Sequence, residues 1–535
     1  MKSFRISLKN VATTVACFAV SLMLFTGCEK DDPTPEPDGN GIAEIGKTYV
    51  STTANAEKVY TLTISKSLLR SSAAATDTYV LLYVDKSGEV KTSAGVVTSS
   101  VGEALTLTPT SGMAFAVTVT ADGITGISGN ITFTDNSTVS GGSLTPFANG
   151  EIEITSAAIT EDRVLGVPGM AINYVYNGGR LDVTNGKILT ILPGTTIRFS
   201  NTDGKILITD GATVKMLGED KLRELNAAGN LSTTPGEKSG HITLKGGAAK
   251  GSWARLHIET NKENVLQYVD LINGGSRANE GGVLATNYDA KISMTNCKIS
   301  GSLGHGIYLY NEPARFTAFS NNVIEHCNAQ PAYVRTLYNI PFDNTSNLTG
   351  NGIDYIFVVN GGAEEQNLTI NATTVPYYID YAGYIKRTLT INKGVTFYMG
   401  EDERIDATGT AAENDGKIIV NGGTGAGEQV TFTRLPNSNY YWQGFEFMDS
   451  HGNIFKNCLI EYGGNPNNDA NIYAYYRSSI SLENVALNNS RQYGFRFNNS
   501  TGSDAAVVAA INVTFSGNAG GNVSLPDGTV SNTLP

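Results

Sequence analysis

Charge is scarce in this chain, and so are cysteine, tryptophan and long apolar runs. Charged residues make up 16% of the sequence, far below what the solvated faces of a helical bundle need. There are five cysteines. Cys17 lies in a segment that export should remove, and no close pair among the others has metal-ligand spacing, which speaks against zinc sites and disulfide frameworks. The apolar run from Val11 to Phe25 is too short to span a bilayer comfortably. Basic residues also fall short: without Lys2, Arg5 and Lys9 in that leader, 35 remain of the 38, against 50 acids, a net charge near −15. Such a balance, with no compact Lys/Arg patch, repels phosphate backbones and excludes nucleic acid as a partner.

What is abundant points the other way. With 59 glycines and 25 tyrosines in 535 residues, the composition predicts an all-β chain with many tight turns. Its length suits either several folding units or one elongated repeat array.

The N-terminus carries an address. Lys2, Arg5 and Lys9 precede the apolar run, which ends in small residues before Cys28, the pattern of a cleaved signal over residues 1–27. The string LFTGCEKDD from Leu24 to Asp32 resembles the lipobox of bacterial lipoproteins, in which the cysteine is acylated after cleavage. Phe25 stands where that pattern usually has leucine, and Leu24 supplies it one place early. Lys30, Asp31 and Asp32 are similar to the surface-export signal of Bacteroidetes-like lipoproteins. The resemblance implies a lipid anchor at Cys28, an outer-membrane location and exposure to the cell exterior. Residues 28–41 form the tether, where Pro33, Pro35 and Pro37 alternate with polar residues and predict an extended spacer.

Two rhythms follow. Over residues 42–149, short alternating runs such as Val59–Ile64, Tyr79–Val84 and Met113–Thr120 between Gly, Ser and Asp turns predict a small antiparallel β-domain. From Gly150 to Pro535, apolar pairs recur as Leu181/Val183, Leu189/Ile191, Ile197/Phe199, Ile206/Ile208 and Val214/Met216, with starts 8, 8, 9 and 8 residues apart. Each pair is the inward side of a short strand. Three strands make a coil of about 24 residues, and stacked coils make a parallel β-helix.

This segment occurs twice. LTILPGTTIRF from Leu189 matches LTINKGVTFYM from Leu389, and VLQYVDLINGG from Val265 matches IFKNCLIEYGG from Ile454. ISMTNCKISGSLGHGIYLYN from Ile292 matches ISLENVALNNSRQYGFRFNN from Ile480, and SNNVIEHCN ending at Asn328 resembles AINVTFSGN ending at Asn518. With these residues the chain resembles the right-handed parallel β-helix repeat lipoproteins of Bacteroidetes-like bacteria over about Gly150 to Val530. The resemblance implies the pectate-lyase-like fold. Fold alone does not transfer chemistry.

Several constellations bear on chemistry. Cys297 and Cys458 align with Val485 and Val269 of the opposite copies, so both read as core thiols. Asn296 and Asn484, with Asn322 and Asn512, recur at turns where amides can stack. NTDG at Asn201–Gly204 and GHG at Gly304–Gly306 are similar to strings of polygalacturonase-like hydrolases, but the paired aspartates those enzymes need are missing and His305 becomes Tyr493 in the second copy. A lyase could recruit Arg255, His257, Arg335 or Arg387 as base or cation, and Glu219-Asp220 or Glu401-Asp402-Glu403 could hold calcium. No spacing singles these out, so no catalytic residue, metal site or cofactor is assigned.

Aromatic residues carry the remaining signal. Tyr440, Tyr441, Trp442, Tyr473, Tyr475 and Tyr476 lie in the second copy, after Tyr377, Tyr378, Tyr381 and Tyr384. Rings with polar edges stack on sugar faces while nearby side chains bond hydroxyls; packing is the competing role, above all for Trp442 and its counterpart Trp253. The expectation is a non-catalytic surface lipoprotein that binds glycans or a host or cell-surface ligand as an adhesin, with the second-copy aromatics as its site. The alternatives are a β-helix lyase or hydrolase, and a structural or protein-binding stalk.

Overall fold

A computed structural model of the chain describes residues 48–535 except 51–57, 66–76, 102–103, 121–122, 129, 134–137, 141–144, 147–149, 277–280, 310–313, 360–365, 381–382, 410–415, 466–468, 476 and 499–505. The leader, Cys28, Lys30, Asp31, Asp32 and the tether lie outside the described residues. From Ile42 to Pro535 the chain is one compact unit. The described residues are strands and turns only, in an antiparallel sheet followed by long parallel sheets.

The eight-stranded antiparallel sheet runs as a meander from Thr48–Val50 through Val59–Ser65, Thr78–Val84 and Val90–Val101 to Gly123–Ser128, with Thr145–Pro146 beside the first strand. Alternation sorts its strands. Tyr60, Leu62, Ile64, Tyr79, Leu81 and Tyr83 face their own core with Leu107, Phe115 and Phe133. Val59 and Val84 point the opposite way, onto Val164 and Leu192 of the first coils. The Lys86 ammonium pairs with Asp162 at 2.6 Å, and its carbonyl accepts the Thr190 hydroxyl at 2.7 Å. The small sheet thus covers one outer side of the early coils.

From Glu151 the chain winds as a parallel β-helix with three faces. Strands Ile188–Ile191, Thr195–Phe199 and Lys205–Ile208 make one coil, and the next begins in register at Thr213–Leu217. The inward pairs read from the sequence, Leu189/Ile191, Ile197/Phe199, Ile206/Ile208 and Val214/Met216, are all at most 1% exposed. Residues 218–241 are a turn-rich excursion, and the helix resumes at Ile242–Lys245. Cys297, Cys327 and Cys458 are free and buried, as the valine alignments imply for two of them. Burial pushes the Cys297 thiol up to about 12, so it behaves as a small hydrophobe.

Asn457, Asn484 and Asn512 stack at one turn, where the Asn512 amide donates to the Asn484 Oδ1 and the Asn484 amide to the Asn457 Oδ1, both at 3.0 Å, and all three hold positive φ. In the first copy Asn296 and Asn321 take the left-handed positions. Asn322, expected there, is instead buried, accepting from the Cys297 N–H and donating to the Met294 carbonyl at 3.0 and 3.1 Å.

The two copies do not stack face upon like face. The third face of the first copy, ending in His305–Leu309 and Ala332–Val334, continues through Ile356–Val358 and Tyr377–Ile379 into Thr396–Met399. By the duplication, Thr396–Met399 corresponds to a second-face strand, Thr196–Phe199. A new seven-stranded sheet opens at Gly383–Ile385 and takes the strands corresponding to the old third face. The second copy is therefore offset by one face. Packing is imperfect at the splice: a cavity of about 30 Å³ remains among Leu337, Val358, Ile379, Ile385, Leu389, Phe397 and Ile405.

Candidate functional site

The offset lines up aromatic side chains that the sequence keeps far apart. On the outer side of the continuing face, Tyr308, Tyr333, Phe357, Tyr378 and Tyr398 are direct partners on five successive rungs. All five are partly exposed. Ring centroids lie 4.8 Å apart from Tyr308 to Tyr333, 5.3 Å to Phe357 and 5.2 Å to Tyr378, with planes within 17–28° of parallel. Carbon atoms pack at about 3.5–4.0 Å, so rings this far apart are offset or splayed and leave part of each face uncovered.

Polar groups edge the row. The Tyr378 hydroxyl donates to Asp380 at 3.2 Å, and burial raises the Asp380 carboxyl above its ordinary range. Tyr355 packs on Tyr378 at 5.1 Å and bonds the Gln330 amide, which also bonds the His305 ring. His305 lies under Tyr308 and Tyr333 at 5.8 and 5.1 Å. Burial depresses its imidazole to about 4, so it is neutral at physiological pH, and its Nδ1 is buried without a partner.

Of the six aromatics expected to form the site, the five among the described residues do not form one platform. Tyr440 comes nearest to doing so: its hydroxyl donates to the Met399 carbonyl at 3.0 Å and accepts from the Leu435 N–H at 3.2 Å, and burial, with Asp380 and Tyr440 adding to it, raises the Tyr355 and Tyr378 phenols. Tyr441 lends its ring to Arg434, whose guanidinium lies 5.7 Å from it and 4.0 Å from Tyr462. Trp442 is fully buried, its indole N–H donating to the Glu461 carbonyl at 2.8 Å and its ring against Phe445, so no face is left for a ligand. Trp253, its counterpart, is equally buried and stacks on Phe199 at 4.7 Å. Tyr473, on the new seven-stranded sheet, meets Tyr475 just past the end of its strand edge to face at 5.6 Å, with Arg496 5.0 Å from the Tyr473 ring. Tyr381 and Tyr476 lie outside the described residues.

The hydrolase strings are also separated. Lys205–Ile208, after NTDG, is three rungs from His305–Leu309, roughly 14 Å along the axis, and the Asn201 carboxamide is occupied by the Asp203 N–H at 2.9 Å. His257, like His305, is depressed to about 4 by burial. Among the described residues no group of three His, Cys, Asp or Glu could hold a metal ion. Glu219 is taken by Arg223 in a two-pronged pair.

A paired carboxylate does occur on the new sheet, where Asp406 and Glu446 are direct neighbours on successive strands. Arg404 reaches both, at 2.8 and 3.2 Å. One guanidinium cannot offset two carboxylates in a dry setting: burial, with Glu446 adding to it, outweighs Arg404 and lifts the Asp406 carboxyl to about 7. Asp406 is 2% exposed and its Oδ1 has no partner, so a substrate has no path to it as it stands. Comparison of the chain with protein-family models, curated proteins and solved structures returned no match.

Proposed function

We propose that this chain is a lipid-anchored surface protein that holds a glycan chain along the outer aromatic row of its β-helix without cleaving it. The observation that carries the reading is the run of five partly exposed aromatic side chains in register across the splice. Its rungs repeat every ~4.8 Å, close to the length of a sugar unit. Weak contacts can then add along one chain, and a rigid solenoid loses little entropy on binding. The lipobox-like string at Cys28 and the acidic segment after it support display outside the cell, in the manner of β-helix repeat lipoproteins of Bacteroidetes-like bacteria.

The enzyme reading draws its support from Asp406 and Glu446, and the burial of Asp406 weighs against it. The test is a glycan array on the purified protein, repeated with Tyr333→Ala/Phe357→Ala. Two lost ring contacts should weaken a bound glycan by about tenfold or more. Affinity unchanged in a variant of normal melting temperature would refute the row as the site.

A further inference from the structure

A second strip of the same molecule has the chemistry to read sugar hydroxyls. At the corner where Thr388–Asn392 and Lys417–Asn421 end, an open groove of about 570 Å³ is lined by Asp343, Asn344, Asn371, Ala372, Asn392, Lys393 and Asn421. Four of its side chains are asparagine amides arriving from successive rungs: Asn392 is registered with Asn421, and its amide donates to the Asn371 Oδ1 at 2.7 Å.

Turn geometry explains the asparagines of the other ladder, because Asn457, Asn484 and Asn512 hold positive φ, where asparagine is among the few tolerated side chains. It does not explain these. None of Asn344, Asn371, Asn392 or Asn421 is in the left-handed region, so backbone conformation does not call for asparagine there. Apart from the Asn392–Asn371 bond, their amides make no side-chain hydrogen bond among the described residues, and each can offer a donor and an acceptor together.

The charges at the rim are already engaged. The Asp343 carboxylate accepts from the Thr345 N–H and hydroxyl at 3.0 and 2.6 Å, and Lys393 is paired with Glu428. The groove therefore presents amides to a ligand, and with Lys393 offset by Glu428 the charge left at its rim is that of the Asp343 carboxylate, which disfavours an anionic ligand.

We infer that this groove is a subsite for a neutral polysaccharide whose adjacent hydroxyls are read, one unit per rung, by Asn344, Asn371, Asn392 and Asn421. The inference rests on the glycan-binding reading and deepens it by naming the ligand class, a glycan without carboxylates. The bond balance favours it: each amide exchanges water for a hydroxyl pair, and amides fixed on rigid rungs lose little rotamer freedom on doing so.

The experiment titrates the purified full-length protein in detergent with neutral gluco-, manno- and xylo-hexaoses and with a hexauronate, by calorimetry. Wild type is compared with Asn371→Ala/Asn421→Ala, Asn392→Asp and the aromatic-row variant Tyr333→Ala/Phe357→Ala, each checked by its melting curve. The expected result is a neutral hexaose bound about tenfold more weakly by the double alanine variant than by wild type. Binding of the hexaose at full affinity by both groove variants overturns the groove while leaving the aromatic row standing. A hexauronate that binds as tightly as the neutral sugars overturns the ligand class. No binding of any hexaose by wild type overturns the groove and the glycan reading together.

Discussion

Asp406 turns a packing detail into a pH dependence. Its carboxyl is 2% exposed, shares Arg404 with Glu446, and is lifted from 3.8 to about 7. In the unfolded chain it returns to its ordinary value. Between pH 4 and 7 the folded state therefore holds a proton that the unfolded state has lost, and stability falls as pH rises through this window. Below pH 4 the contribution is fully present, and above pH 7 it is gone. A shift of about three units is worth at most about 4 kcal/mol at 1.36 kcal/mol per unit. For a unit of this size melting cooperatively at about 2.1 cal/mol/K per residue, that is about 4 °C in Tm. Asp406→Asn keeps the shape and removes the titration, so the Tm difference, variant minus wild type, should climb in the variant's favour from pH 4 to pH 8. Carboxylates away from the Asp406–Glu446 pair cancel in the difference. Arg404, the cation facing the pair, stays charged throughout that range. A difference curve flat from pH 4 to 8 would refute the reasoning, since it means that Asp406 is ionised throughout and Arg404 offsets its burial.

Three further outcomes are expected. Trp442→Ala should lower stability by about 3–5 kcal/mol in a denaturant titration and leave the affinity of any bound glycan unchanged in the same preparation; lost affinity without lost stability would return Trp442 to the site. Val358→Ile, adding one methylene beside the cavity at the splice, should raise stability by up to about 1 kcal/mol, and a lowered Tm would show that the cavity cannot accept it. Cys28→Ala should release the protein from membranes on fractionation, and replacing Lys30, Asp31 and Asp32 should protect it from protease added to whole cells. Unchanged protease access after the second replacement speaks against the export signal.

The parts of the fold set by local periodicity were legible in the sequence. The inward pairs from Leu181 to Met216 declare a two-residue period and a coil of fixed length, and the structure buries every one of them. Valine in the partner copy marked Cys297 and Cys458 as core residues, and the same alignment paired Trp253 with Trp442, both now buried. Local pattern says nothing about registry between distant coils. Tyr308, Tyr333, Phe357, Tyr378 and Tyr398 span ninety residues, and no periodicity shows which rungs will adjoin once the turns differ in length. Clustering in sequence does not give clustering in space for the same reason: Tyr440, Trp442 and Tyr473 are near one another in the chain but belong to a loop, the core and a different sheet.

The offset of the two copies ties these observations together. Had the copies stacked like on like, Thr396–Met399 would continue the second face, and Tyr398 would leave the row. Instead the third face runs on through Ile356–Val358 and Tyr377–Ile379, strands with no counterpart in the matched segments. These linking strands supply Phe357 and Tyr378, the middle of the aromatic row. A solenoid tolerates such a splice because each coil contacts only its neighbours, so the mismatch stays local, with the small void beside Val358 as its cost. The same splice opens the new sheet on which Asp406 and Glu446 become neighbours, and the groove where Asn371 meets Asn392. The proposed binding surface is thus concentrated at and just beyond the junction, so a chimera that swaps linker strands 353–385 should lose ligand binding while coils on both sides keep their own cores.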